Sequence, residues 1–209
     1  MVKTVATTVE NTLEIKRSKF ITVLKRCHSE TEAKAFLDMV RKTYPEASHY
    51  CFGYIFGEHQ EIQRYDDDGE PSQTAGMPIL EVLKKQDLTD VLCVVVRYFG
   101  GVKLGGGGLI RAYAKSASEA VEKAVFKYRT RLIQTRLTMS YSLANSLEEW
   151  LRKTGIVNDI TYQAQVVFTI DFGCDDWNSI KAQLINQSRN TMLIEELGET
   201  IAYQSRSSF

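Results

Sequence analysis

A chain of 209 residues with 44% hydrophobic and 25% charged side chains has a globular composition, and it is long enough for one large core or two small ones without staples. Its 26 basic and 26 acidic residues cancel, which excludes a polyanion binder coated in positive charge and leaves room for a local basic site. No run approaches the roughly 20 apolar residues of a membrane helix, residues 1–11 lack the apolar stretch of a signal peptide, and Cys27, Cys51, Cys93 and Cys174 form no Cys-x-x-Cys pair, so the expectation is a cytoplasmic protein with reduced thiols.

Residues 12–27 read as one extended segment, with Phe20, Thr22 and Leu24 on one face and Ile21 and Val23 on the other. Ser29 and Glu32 have capping-box spacing, and Ala33, Phe36, Leu37 and Val40 follow at helical spacing, predicting a helix over 30–43 that ends at Tyr44-Pro45. The aromatic run 48–56 predicts a strand, with a second at 61–65 after Gly57. Loop chemistry fills 66–74; a short helix then starts at Thr74 or Gly76 and carries Ile79, Val82 and Leu83. The apolar run 91–98 predicts a central strand buried on both faces. Residues 109–126 follow as an amphipathic helix with Leu109, Tyr113, Ala117, Ala120 and Ala124 along one stripe.

The pattern restarts near residue 129. A strand is expected over 130–141, then a helix carrying Leu143, Leu147, Trp150 and Leu151 and closed by Gly155. Strands at 156–162 and 165–172, a helix on Trp177, Ile180 and Leu184 capped by Asp175 or Asp176, and a last strand over 192–204 complete a βαββαβ order, that of a ferredoxin-like module. The expected domains are therefore 1–129 and 130–209, with net charges of +2 and −2.

Two loops carry the chemistry. The stretch from Arg97 to Arg111 contains six glycines, Gly100, Gly101, Gly105, Gly106, Gly107 and Gly108. A buried strand enters it and a helix leaves it. Glycines let backbone N–H groups converge on a ligand, the helix start lacks internal acceptors, and Arg97, Lys103 and Arg111 add full charges, so the loop is a candidate anion or nucleic-acid site. Tyr98 and Phe99 at its edge are candidates for stacking on a base. The competing reading is a tight turn that merely permits close packing. It is neither a Walker A loop nor a dinucleotide fingerprint, since no Gly-Lys-Ser/Thr ends it and no parallel βαβ unit surrounds it.

The second loop, DDDGEPSQTAG at 66–76, gathers Asp66, Asp67, Asp68 and Glu70. These acids suit a hard cation such as Mg²⁺, a solvated turn, or an ion pair with the basic loop that would order both. His49 and Cys51, two apart on a strand, lie on one face as a Cys/His pair would, but no third group to orient them is evident. No catalytic residue and no cofactor are assigned.

The blocks DDDGEPSQTAG and VVVRYFGGVKLGGGGLIRAY at 94–113, with Lys16-Arg17-Ser18-Lys19-Phe20-Ile21 and Ser48-His49-Tyr50-Cys51-Phe52, resemble the YigZ/IMPACT family over nearly the whole chain. Gln73 stands where a second glycine is common, and Met77 where a basic residue is common. The resemblance implies an α+β protein of two domains. The first would be like domain IV of elongation factor G, a sheet with helices on one face; the second would be a ferredoxin-like βαββαβ domain. It also implies a binding role in translation or its regulation, toward RNA, the ribosome or a protein of that machinery, as a monomer or dimer. The alternatives are a metal-assisted enzyme on a phosphate-containing ligand and a protein-interaction module without nucleic-acid binding.

Overall fold

The computed structural model describes residues 2–205. They form two units divided between Tyr128 and Arg129. The first contains β1 (Lys3–Val5), β2 (Val9–Ile15), β3 (Ser18–Arg26), α1 (Glu30–Thr43), β4 (His49–Phe56), β5 (Ile62–Asp66), α2 (Gly76–Lys85), β6 (Val91–Tyr98) and α3 (Gly106–Glu122). Its antiparallel sheet runs β2-β3-β6-β4-β5. Strand β1 pairs instead with the first three residues of β7 (Phe126–Met139).

The expected single extended segment at 12–27 is a hairpin. Lys16 and Arg17 take φ of 47° and 68°, and Ile15 pairs with Ser18, so the two strands are joined by a two-residue turn. Such turns usually announce themselves by Asn-Gly or Asp-Gly. Lys-Arg carries no such signal, which is why the break was invisible in the sequence.

Strand β6 is the axis of the unit. Val91, Cys93 and Val95 enter one core with Phe20, Leu24, α2 and α3; Leu92, Val94 and Val96 enter another with Ile21, Val23 and α1. The two-face burial expected of β6 and the alternation expected along β3 are both present. Thr22 shares the α3 side, where its hydroxyl lies 2.6 Å from that of buried Ser116, so neither polar group is left unpaired. The resemblance implied helices on one sheet face; here α2 and α3 cover one and α1 the other, because β6 is apolar on both. Ser29 caps α1 by accepting the Glu32 N–H, and the Glu32 carboxylate reaches back to the His28 N–H.

The second unit runs β7, α4 (Tyr141–Thr154), β8 (Ile156–Tyr162), β9 (Val166–Gly173), α5 (Trp177–Gln187) and β10 (Leu193–Gln204). Within it the sheet order is β8-β9-β7-β10, the arrangement of a ferredoxin-like βαββαβ module. Leu147, Leu151, Trp177 and Leu184 of the helices meet Leu137, Phe168, Ile170 and Phe172 of the strands. Ser140 caps α4 and Gly155 closes it. Asp176 does hold the cap position of α5, but its side chain makes no capping bond.

Among the described residues no helix is long and apolar enough to cross a membrane. The four cysteines are free, and three of them are buried. Burial pushes the Cys27 thiol up to about 11 and the Cys93 thiol up to about 12. The thiolate is the reactive form, so a thiol-alkylating reagent at pH 7.5 is expected to modify Cys174 first in the native protein. The other three should follow only on unfolding, as read by peptide mass spectrometry.

Candidate functional site

The two loops adjoin, and a buried ion pair joins them. Arg97, at the end of β6, directs Nη1 at Glu70 Oε1 at 2.5 Å; the side chains are 5% and 4% exposed. The same Glu70 oxygen accepts the Tyr113 hydroxyl of α3 at 2.8 Å and lies 3.8 Å from His49 Nε2. The Arg97 guanidinium stands over the rings of both Phe20 and Phe99, 5.5 Å from each centre, within cation–π range of each. Its Nη2 reaches the Ser18 hydroxyl at 3.4 Å, while its buried Nε has no partner. Arg97 was expected as a free cation for a phosphate. Its charge is instead matched inside the fold, and the ion pair is the arrangement the two loops adopt.

His49 Nδ1 lies 2.8 Å from the Asp68 carbonyl, an oxygen that can only accept, so Nδ1–H donates to it, and Nε2 faces Glu70. Cys51 donates its S–H to the Asp67 carbonyl at 3.0 Å, and its sulfur lies 3.4 Å from the Tyr113 oxygen. Burial holds its thiol far above the ordinary range, which disfavours the thiolate that a nucleophile needs. Burial, then Cys51 and Glu70, likewise keep the Tyr113 phenol protonated as a donor.

The remaining acids of the second loop turn toward backbone. Asp67 accepts the N–H groups of Gln73, Ala75 and Gly76 at 2.7, 2.9 and 2.8 Å. Asp68 accepts the Tyr50 N–H and pairs with Arg41, and Asp66 accepts the Asp68 N–H. Among the described residues no group of three or more His, Cys, Asp or Glu side chains is placed to hold a metal. Of the readings open for this cluster, the ion pair with the basic loop is made by Glu70, while Asp66, Asp67 and Asp68 shape the loop through backbone N–H groups.

The glycine loop is anchored at one end and open at the other. Ser48 and Ser18 hydroxyls accept the Phe99 and Gly100 N–H groups. A Cβ on Gly100 would fall 2.0 Å from the Arg17 carbonyl carbon, so this glycine is there for close approach to the β2–β3 turn. Tyr98 points to the α1 side and donates to the Pro45 carbonyl. Phe99, Gly101, Lys103, Gly105, Gly106, Gly107 and Arg111 are exposed, whereas Gly108 is half-buried. Helix α3 begins at Gly106, three residues before the periodicity placed it. Gly105, at φ 75°, provides no side-chain cap, so the first amides remain available to an acceptor. The Arg111 guanidinium lies beside Gly107. The hairpin turn adds exposed Lys16 and Arg17 to the same edge. A cavity of about 360 Å³ opens between Phe99 and the start of α3, with Arg97, Glu70, His49 and Lys103 among its walls.

Sequence reasoning missed Ser18, Ser48, Arg17 and the placement of Tyr113. The two serines stand in blocks that resemble the family, but neither block assigns them a site role, and only the pairing of β3, β4 and β6 brings them to the loop.

The profile described as the Impact N-terminal domain matches residues 16–121, and the one described as a domain of unknown function (DUF1949) matches residues 137–191. The IMPACT family member YvyE of Bacillus subtilis is 42% identical over 160 residues, 76% of this chain and 74% of the relative. The IMPACT family member YigZ of Escherichia coli is 33% identical over 189 residues, 89% of this chain and 93% of that one. A crystal structure described only as that of a hypothetical protein covers 94% of this chain and 97% of its own, at 31% identity and a TM-score of 0.61. Both loops and the Arg97–Glu70 pair that joins them lie inside the first matched segment, and the chain belongs to the IMPACT family.

Proposed function

We propose that the protein is a non-catalytic binding protein that contacts RNA, free or within the ribosome, through the loop at 97–111 and the adjoining turn at Lys16-Arg17. Family membership supports a role related to the regulation of translation. The observation that carries the RNA contact is the open half of the glycine loop: exposed Lys103 and Arg111 beside uncapped α3 amides, with Lys16 and Arg17 on the same edge. Cations and backbone N–H groups of this kind position phosphates, and such binding is salt-sensitive. Changing Arg17, Lys103 and Arg111 together to alanine is expected to weaken RNA or ribosome association. It should also flatten the salt dependence by about 0.7 in log–log slope for each lost single-strand contact. Unchanged affinity and slope in a filter-binding or sedimentation assay would reject the surface.

A protein partner is the second reading. Phe99, Val102 and Ile110 are 49%, 41% and 44% exposed on this loop and helix start, more apolar surface than phosphate contact requires. A complex captured from lysate that survives both RNase and high salt would favour it over RNA.

A further inference from the structure

Resting on the RNA reading, we propose that the cavity beside Phe99 seats a single unpaired nucleotide. At about 360 Å³ it falls at the lower end of small-molecule sites, roughly 300–1,000 Å³. Its walls are of two kinds. Pro71, Leu104 and Leu109 are apolar, whereas Arg97, Glu70 and His49 form a polar group joined by the ion pair at 2.5 Å and the 3.8 Å approach of His49 to Glu70.

The buried Arg97 guanidinium stands over the Phe99 ring, 5.5 Å from its centre. One face of the ring is supported by that guanidinium, and the residue is 49% exposed. An aromatic ring backed in this way is a stacking platform for a base, because every base presents a π-face. Lys103, Gly105 and Gly106 line the same cavity and provide a cation and backbone amides for the attached phosphate. A bare anion fits less well, since it would leave Phe99 and the apolar walls of the cavity without a partner. A duplex does not fit either, since its bases are already stacked and paired and cannot enter a pocket without unpairing.

The test is fluorescence anisotropy of a labelled single-stranded oligoribonucleotide on the full chain, with a blunt RNA duplex and nucleoside 5′-monophosphates as competitors. The single strand is expected to bind and the duplex to compete poorly. Phe99→Ala should weaken binding by about tenfold or more, the scale of one lost base stack, and Phe99→Tyr should restore it. Because Phe99 is half exposed but packs on Arg97, urea unfolding of Phe99→Tyr should match the parent, and Phe99→Ala should lose only a little stability. Competition by a monophosphate at lower concentration than by the unlabelled oligonucleotide would identify a free nucleotide as the occupant. The reverse order would identify a nucleotide within a strand. Equal binding of duplex and single strand with no effect of Phe99→Ala would overturn the pocket while leaving a phosphate-contact surface that Lys103 and Arg111 still control. Absence of binding to any RNA or nucleotide would overturn both readings.

Discussion

Glu70→Ala is expected to destabilise the first unit by about 3–5 kcal/mol, the cost of removing one partner from a buried ion pair. The side chains of Glu70 and Arg97 are at most 5% exposed, so the guanidinium left behind loses its counter-charge in a largely desolvated position. The Tyr113 hydroxyl loses its acceptor in the same step, and a buried unsatisfied donor adds to the loss. Urea unfolding of the full chain, followed by a probe in the first unit, measures the effect. A control separates the buried charge from the shape of the site. Changing Glu70 to leucine and Arg97 to methionine together removes both charges, and paired replacement by apolar side chains is often close to neutral. The double variant should therefore recover much of the stability that the single variant loses. A single variant within about 1 kcal/mol of the parent, the scale of an exposed pair, would show that the pair is not desolvated in solution.

Asp67→Ala is expected to cost about 3 kcal/mol or more. Its carboxylate accepts three backbone N–H groups, and each bond to a charged group contributes about 1.5–3 kcal/mol, with incomplete additivity. The position matters because α2 begins with Ala75 at its cap, a residue with no side-chain acceptor to offer. Asp67 performs that function from the preceding loop. Asp67→Asn keeps Oδ1 for Ala75 and Gly76 and loses the charge and the Gln73 contact, so it should cost clearly less than alanine. Equal losses for the two variants, measured by the same unfolding, would mean that Asp67 acts through its charge rather than through these bonds. Binding to RNA is expected to fall with Asp67→Ala only as far as the folded fraction falls.

Both expectations concern acids that the sequence presents as a cluster suited to a cation. Composition gives no way to distinguish an oxygen aimed at solvent from one aimed at an amide six to nine residues along the chain. The loop closes on itself through Asp67, and this closure, rather than any motif, decides the roles of Asp66, Asp67 and Asp68. Arg97 illustrates the same point from the other side. Its place at the end of an apolar strand was legible, but its partner lies 27 residues away across a sheet and a loop.

What the amino-acid sequence determined by itself was local. Alternation along β3 and the unbroken apolar run of β6 fixed which faces are buried, because side chains alternate about a strand axis. Helical spacing and caps fixed α1 and α4, and the order of elements after residue 129 defined the ferredoxin-like unit. The tertiary structure alone decided the hairpin at Lys16-Arg17, the coverage of both sheet faces by helices, the neutralisation of Arg97, and the division of the glycine loop into an anchored end and an open end. These features depend on contacts between residues far apart in the chain. Burial and pairing there are set by what packs across the gap, and a side chain's own identity does not encode its neighbour.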